Sequence, residues 1–150
     1  MDAKAINPLL IHRFHRDLTA EELGTIRKAI ELVPGSEEGR REIWEQFERN
    51  EVTAGICRDT EGALAFFVFF EVRTGPEGRI FYARAAKSLL PSRTLAETTF
   101  PQLENFARQL ECRILSVQTA RPGMVGKLLK MPGYRMHDAT GGEVILRKIL

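Results

Sequence analysis

The chain of 150 residues carries 43% hydrophobic and 28% charged side chains and a net charge of +2. That ordinary globular make-up excludes a fibrous repeat or a disordered chain and predicts one domain over residues 1–150 with a core of its own. No apolar run reaches the roughly 18 residues a spanning helix needs, so no membrane partner is expected, and the charge is too weak to signal nucleic acid.

MDAKAINPLL has an early Asp and no signal-peptide layout, which predicts a cytoplasmic protein. Leu9 to Phe14 reads as a first strand. Thr19 and Glu22 form a capping box, and Leu23, Ile26, Ile30 and Val33 follow at helical spacing until Pro34-Gly35. Ser36 can cap a second helix whose first turn holds Glu37-Glu38 and whose apolar stripe is Ile43, Trp44 and Phe47.

The period then changes to two. Val52, Ala54 and Ile56 alternate as a strand, and Asp59 to Gly62 makes a turn. ALAFFVFFEV, residues 63–72, is nearly all apolar, which predicts a strand covered on both faces. Gly75 to Gly78 turns the chain into a strand over 79–86. Connections this short make the three strands an antiparallel meander. Cys57 and Cys112 have neither metal nor redox spacing and read as small core residues in a reducing compartment.

A helix carries Leu103, Phe106, Ala107 and Leu110. Its start is open between the boxes Thr94-x-x-Glu97 and Thr99-x-x-Gln102, because Pro101 suits only a first turn. A strand over 113–119, entered through that helix, should run parallel to its predecessor. Between Pro122 and Gly133 lies a short amphipathic helix with Met124, Leu128 and Met131 on one stripe, Val125 and Leu129 beside it, and Lys127 and Lys130 toward solvent. Strands over 134–138 and 144–149 end the pattern.

This order of elements resembles the GNAT (acyl-CoA N-acyltransferase) fold over essentially the whole chain. NFARQLECRILSVQTARPGMVGKLLKMPGYRM is the most specific part: Ala107-Arg108, Cys112-Arg113 and Gly133-Tyr134 resemble the family's Ala-Arg, Gly-Cys and Gly-Phe. SVQTARPGMVGKLLKMPGYR is further similar to small GNAT-like proteins of tailed bacteriophages. The resemblance implies an α+β fold: a mixed, mostly antiparallel sheet of about seven strands with helices on both faces. It also implies an acetyl-CoA site where the fourth and fifth strands splay.

The family holds the cofactor pyrophosphate on bare backbone N–H groups of a Gly-rich loop at a helix N-terminus. Here that loop falls on Pro91 to Ala96, so Arg93, Thr94, Leu95 and Ala96 are the cofactor-binding candidates if acetyl-CoA binds. Ala96 suits the loop and Arg93 offers a cation. Thr94 and Leu95 bring Cβ atoms where glycines are usual, and a plain helix cap at Ser92 or Thr94 explains the stretch better. The usual Tyr acid of the short helix falls on Leu129, which with Val125 is expected to close an apolar seam and narrow the cleft.

RIFYARAAK offers Tyr82 and Arg84 but no carboxylate. Glu71 is the nearest base candidate, and an ion pair explains it equally well. His12-x-x-His15 lacks a third metal ligand, and Ser92 and Ser116 lack a partner His. Arg121, Lys127, Lys130 and Arg135 read first as a solvated face.

No catalytic residue and no metal site are therefore assigned. The residues favour a phage-encoded, catalytically degenerate GNAT-like protein without a cofactor, acting by binding a virion or host protein. The alternative is an acetyl-CoA-dependent N-acetyltransferase with an altered pyrophosphate loop.

Overall fold

The computed structural model describes residues 11–33, 36–88, 95–119, 122–140 and 143–150. The elements run β1 (Ile11–Arg13), α1 (Ala20–Ile30), α2 (Glu37–Glu48), β2 (Thr53–Arg58), β3 (Leu64–Gly75), β4 (Gly78–Ser88), α3 (Leu95–Gln109), β5 (Ile114–Thr119), α4 (Pro122–Lys130), β6 (Arg135–Thr140) and β7 (Glu143–Ile149). They form one seven-stranded sheet in the order β1-β2-β3-β4-β5-β7-β6. All pairs are antiparallel except β4–β5, which α3 connects as a parallel crossover. The α+β sheet, the meander and the parallel pair are as the sequence predicts. No helix among the described residues is long and apolar enough to cross a membrane.

Local chemistry sets the helix ends. The Glu22 amide donates to the Thr19 hydroxyl at 3.1 Å, and the Thr19 amide donates to the Glu22 carboxylate at 2.9 Å. The Gly39 amide donates to Ser36 at 3.0 Å. Both caps satisfy N–H groups that have no partner within the helix. Helix α3 already runs at Leu95, which excludes the later candidate start at Thr99, and Pro101 stands inside the helix. Pro101 is exposed, so its missing N–H faces water and not the core. Gly133, at φ +88°, ends the turn after α4 in the conformation that only glycine adopts cheaply.

Helices α1 and α2 cover one face of the sheet, and α3 and α4 the other. Ile26, Ile30 and Phe47 meet Phe67 and Phe69 on the first face. Leu103, Phe106 and Leu128 meet Val68, Phe81, Leu115 and Leu146 on the second. Residues Ala65 to Phe70 are buried without a break, because β3 lies between the two helix layers. Cys57 and Cys112 are buried free thiols of the second face.

Candidate functional site

Strands β4 and β5 pair over four positions only, from Ile80 opposite Ile114 to Ala83 opposite Val117. Both then continue, β4 to Ser88 and β5 to Thr119, without pairing to each other. The sheet therefore opens into a V. At the apex of the V, β4 has a bulge: Phe70 faces Ala83 while Phe69 faces Ala85, which leaves Arg84 as the extra residue. Ala83 packs on the α3 face and Ala85, two residues on, packs on the α1 face. Strict alternation forbids this, and the bulge produces it.

A cavity of about 280 Å³ occupies the V. Its strand walls are Arg84, Ala85, Ala86, Val117, Gln118 and Thr119. Val33, Arg40 and Glu42 close it from the α1–α2 side, Phe100 and Met124 from the α3–α4 side, and Glu143 from β7. The Arg40 guanidinium donates to the Val33 carbonyl at 3.0 Å, which ties the start of α2 to the end of α1 over the opening. The Gln118 amide donates to the Glu143 carboxylate. The V is thus lined by two acidic residues, Glu42 and Glu143, and two basic ones, Arg40 and Arg84.

Among the described residues, the expectation that side chains narrow this cleft does not hold on the β4 side. Its β4 wall after the bulge is Ala85 and Ala86, too short to reach across. Nor does Leu129 close an apolar seam: it is 46% exposed, while its neighbour Leu128 is fully buried. Successive helical residues are turned by about 100°, so only one of this pair can face the sheet. Met124, Val125 and Met131 pack against the core beside Leu128, and Lys127 and Lys130 are exposed, as the stripe predicts.

Of the cofactor-binding candidates, Arg93 and Thr94 lie outside the described residues, and Leu95 and Ala96 open α3. The same helix brings Phe100 to the cavity wall. Glu71 is not in the V. It is ion-paired with Arg84 at 3.3 Å and with Arg73, as the alternative reading of that residue has it. His15 sits edge-on to the rings of Trp44 and Phe47 at 5.9 and 5.4 Å. Ser116 is buried on β5. Ser92, Pro34-Gly35 and Arg121 lie outside the described residues.

Sequence reasoning missed Glu42 and Glu143, which carry no motif and reach the V only through the fold. It also missed a buried network behind the V. The Tyr134 hydroxyl donates to Glu104 at 2.8 Å, and the Lys148 ammonium donates to the other oxygen at 2.7 Å. Burial, and then the bond to Glu104, push the Tyr134 hydroxyl far above its ordinary value, so it stays a donor.

No protein-family model matches the chain, and no curated protein matches it. Solved structures do. The IAA acetyltransferase from Bacillus cereus is 12% identical with a TM-score of 0.67, over 97% of this chain and 100% of that one. The GNAT domain of S. lividans PAT is 15% identical at 0.59, over 98% and 97%. The PaiA N-acetyltransferase from Thermoplasma acidophilum, solved in complex with coenzyme A, is 14% identical at 0.60, over 94% and 99%. At these identities the likeness is one of architecture: the chain has the GNAT acetyltransferase fold.

Proposed function

We propose that the chain binds an acyl-CoA thioester in the V between β4 and β5 and passes the acyl group to an amine. The observation that carries this reading is the V itself, a cavity of about 280 Å³ bounded by an unpaired stretch of β4. Beyond Ala83 the β5-facing edge of β4 pairs with no strand among the described residues, so its N–H and C=O groups can receive an extended amide-bearing chain as a strand would. Ala85 and Ala86 leave room for the approach. The thioester supplies an activated acyl carbon; the protein holds it beside Glu42 and Glu143, either of which can accept the amine proton directly or through water.

The V offers no Tyr, His or Cys among its described lining residues to protonate the departing sulfur. A thiol of ordinary acidity, near 8.5, leaves as thiolate without such help. Positioned proton donors contribute roughly 10²–10⁴-fold, so transfer should be slow.

The same shortage of acid groups, with Leu129 exposed at the usual Tyr position, favours a second reading. In it the chain is a catalytically degenerate, phage-encoded protein that binds a virion or host protein in the cytoplasm.

Acetyl-CoA separates the two. At about 100-fold above its Kd, a ligand specific for the native state adds roughly 2.7 kcal/mol of stability. The expected result is a clear thermal shift of the wild type at millimolar acetyl-CoA that is lost in Ala86→Trp, which fills the V from an exposed position. Absence of any shift and of acetyl transfer to any amine would leave the protein-binding reading.

A further inference from the structure

We infer that the acceptor amine carries an oxyanion, carboxylate or phosphate, held by Arg147 and Arg73 in a second cavity that joins the V. This rests on the acyl-transfer reading above for the word acceptor; the anion subsite itself stands on separate observations.

The second cavity measures about 200 Å³ and opens on the α1–α2 face of the sheet, where β3, β4, β5 and β7 run on past the helices. Arg84 and Gln118 line both cavities, so the two share a wall. Strand register explains how the polar groups converge. Glu71 faces Tyr82, Tyr82 faces Ser116 and Ser116 faces Arg147, a single row across four strands on one face. Neighbouring strands are about 4.8 Å apart, so the row from Tyr82 to Arg147 spans roughly 10 Å, the length of a small metabolite.

The charges lining the cavity do not balance. Arg73, Arg84 and Arg147 line it with one carboxylate, Glu71, and Glu71 is engaged by Arg84 and Arg73. Arg147 is paired only at the surface. Its side chain is only 18% exposed, and its nearest carboxylate is Glu77, 3.7 Å away and 61% exposed. One of its terminal nitrogens reaches the Tyr82 hydroxyl at 3.5 Å, and its guanidinium lies over the Tyr82 ring. Its Nε is buried with no partner.

Withdrawing a guanidinium from water costs free energy unless an anion and full hydrogen bonding repay it. Here one long ion pair to an exposed Glu77 and one long bond to Tyr82 repay only part of that cost, at a concave site beside the V. An oxyanion takes two of a guanidinium's nitrogens in a two-pronged contact, the geometry for which arginine is suited. Arg73, 66% exposed, supplies a second cation at the rim. An amine whose anion is fixed there points its nitrogen toward Arg84 and Gln118, at the wall shared with the V.

Matched pairs test this on the whole protein. Acetylation from acetyl-CoA is followed by mass spectrometry for β-alanine against propylamine, and for phosphoethanolamine against ethylamine. Binding of inorganic phosphate and of propionate is followed separately by NMR. Hydrogen bonds between charged groups are worth about 1.5–3 kcal/mol, so the charged member of at least one pair should have a KM about ten- to hundredfold lower. The pair that shows it tells carboxylate from phosphate.

In Arg147→Gln that advantage should disappear and the anion should no longer bind. Arg73→Gln, altered at an exposed side chain and so not open to misfolding, should lose a few-fold of the same preference. Anion binding that depends on Arg147, without transfer to any amine, upholds the subsite and removes the transferase reading. Transfer that ignores charge upholds the transferase reading and removes the subsite. No anion binding by the wild type, or binding unchanged in Arg147→Gln, overturns the inference outright.

Discussion

Single buried protons mark this protein more than single charges do. Burial pushes the Cys57 thiol from its ordinary 9.0 up to about 11, raises Cys112 as well, and lifts Tyr134 above its ordinary 10.0. In each case the folded chain keeps a proton that the unfolded chain gives up. Above about pH 9 the unfolded state therefore binds fewer protons than the native state, and stability falls as pH rises. The loss should begin near pH 9 with the thiols, continue through about 11 for Cys57, and gain a further contribution from Tyr134 above 10. Urea midpoints across this range check it. Cys57→Ala should start from a lower midpoint and lose stability less steeply between pH 9 and 11. An equally steep decline in that variant would remove Cys57 from the account.

At the scale of elements, β3 and α4 show opposite degrees of legibility. The run from Ala63 to Val72 announces a strand buried on both sides, and the structure divides it so: Phe67 joins the cluster under α1 and α2, and Val68 joins the one under α3. Phe67→Asp and Val68→Asp should each abolish cooperative folding, since each buries a charge with no partner. A soluble variant with an ordinary melting transition would mean that one face is open. Helix α4 is readable in its length and inward stripe, but Leu128 and Leu129 are both leucines and composition cannot rank them. Because Leu129 is exposed, Leu129→Tyr should change stability by no more than about 0.5 kcal/mol, as surface substitutions usually do. A loss of several times that by urea titration would return Leu129 to a packed position. The place of the V between β4 and β5 followed from the resemblance, but its construction was still less legible. It is made by the place where β4 and β5 cease to pair and by one extra residue, Arg84. Neither a stripe nor a motif records a bulge, and Glu42, Glu143 and Arg147 come from three elements far apart in the chain.

The whole molecule must hold together across that opening. Only four residue pairs join β4 to β5, yet β1–β4 lie on one side of the junction and β5–β7 on the other. Helix α3 supplies the missing continuity. Leu103, Phe106 and Ala107 belong to one cluster that takes in Val68 and Phe70 of β3, Phe81 of β4, Leu115 of β5 and Leu146 of β7. The helix is thus a clamp over the seam, with its N-terminal end free to border the V. Leu103 is almost fully buried in that clamp. Leu103→Ala should therefore cost about 2–5 kcal/mol, the range for a large-to-small change at a buried leucine. Both sides of the seam lean on the same side chains, so the loss should appear as one transition moved to lower denaturant and not as two. Trp44, on α2, and Tyr134, beyond the seam, give optical probes on opposite sides in a Tyr82→Phe background, which removes the other tyrosine. Coincident fluorescence transitions from the two in the Leu103→Ala protein would establish the clamp. Separate midpoints would mean that the halves fold independently and that the four β4–β5 pairs, not α3, carry the coupling.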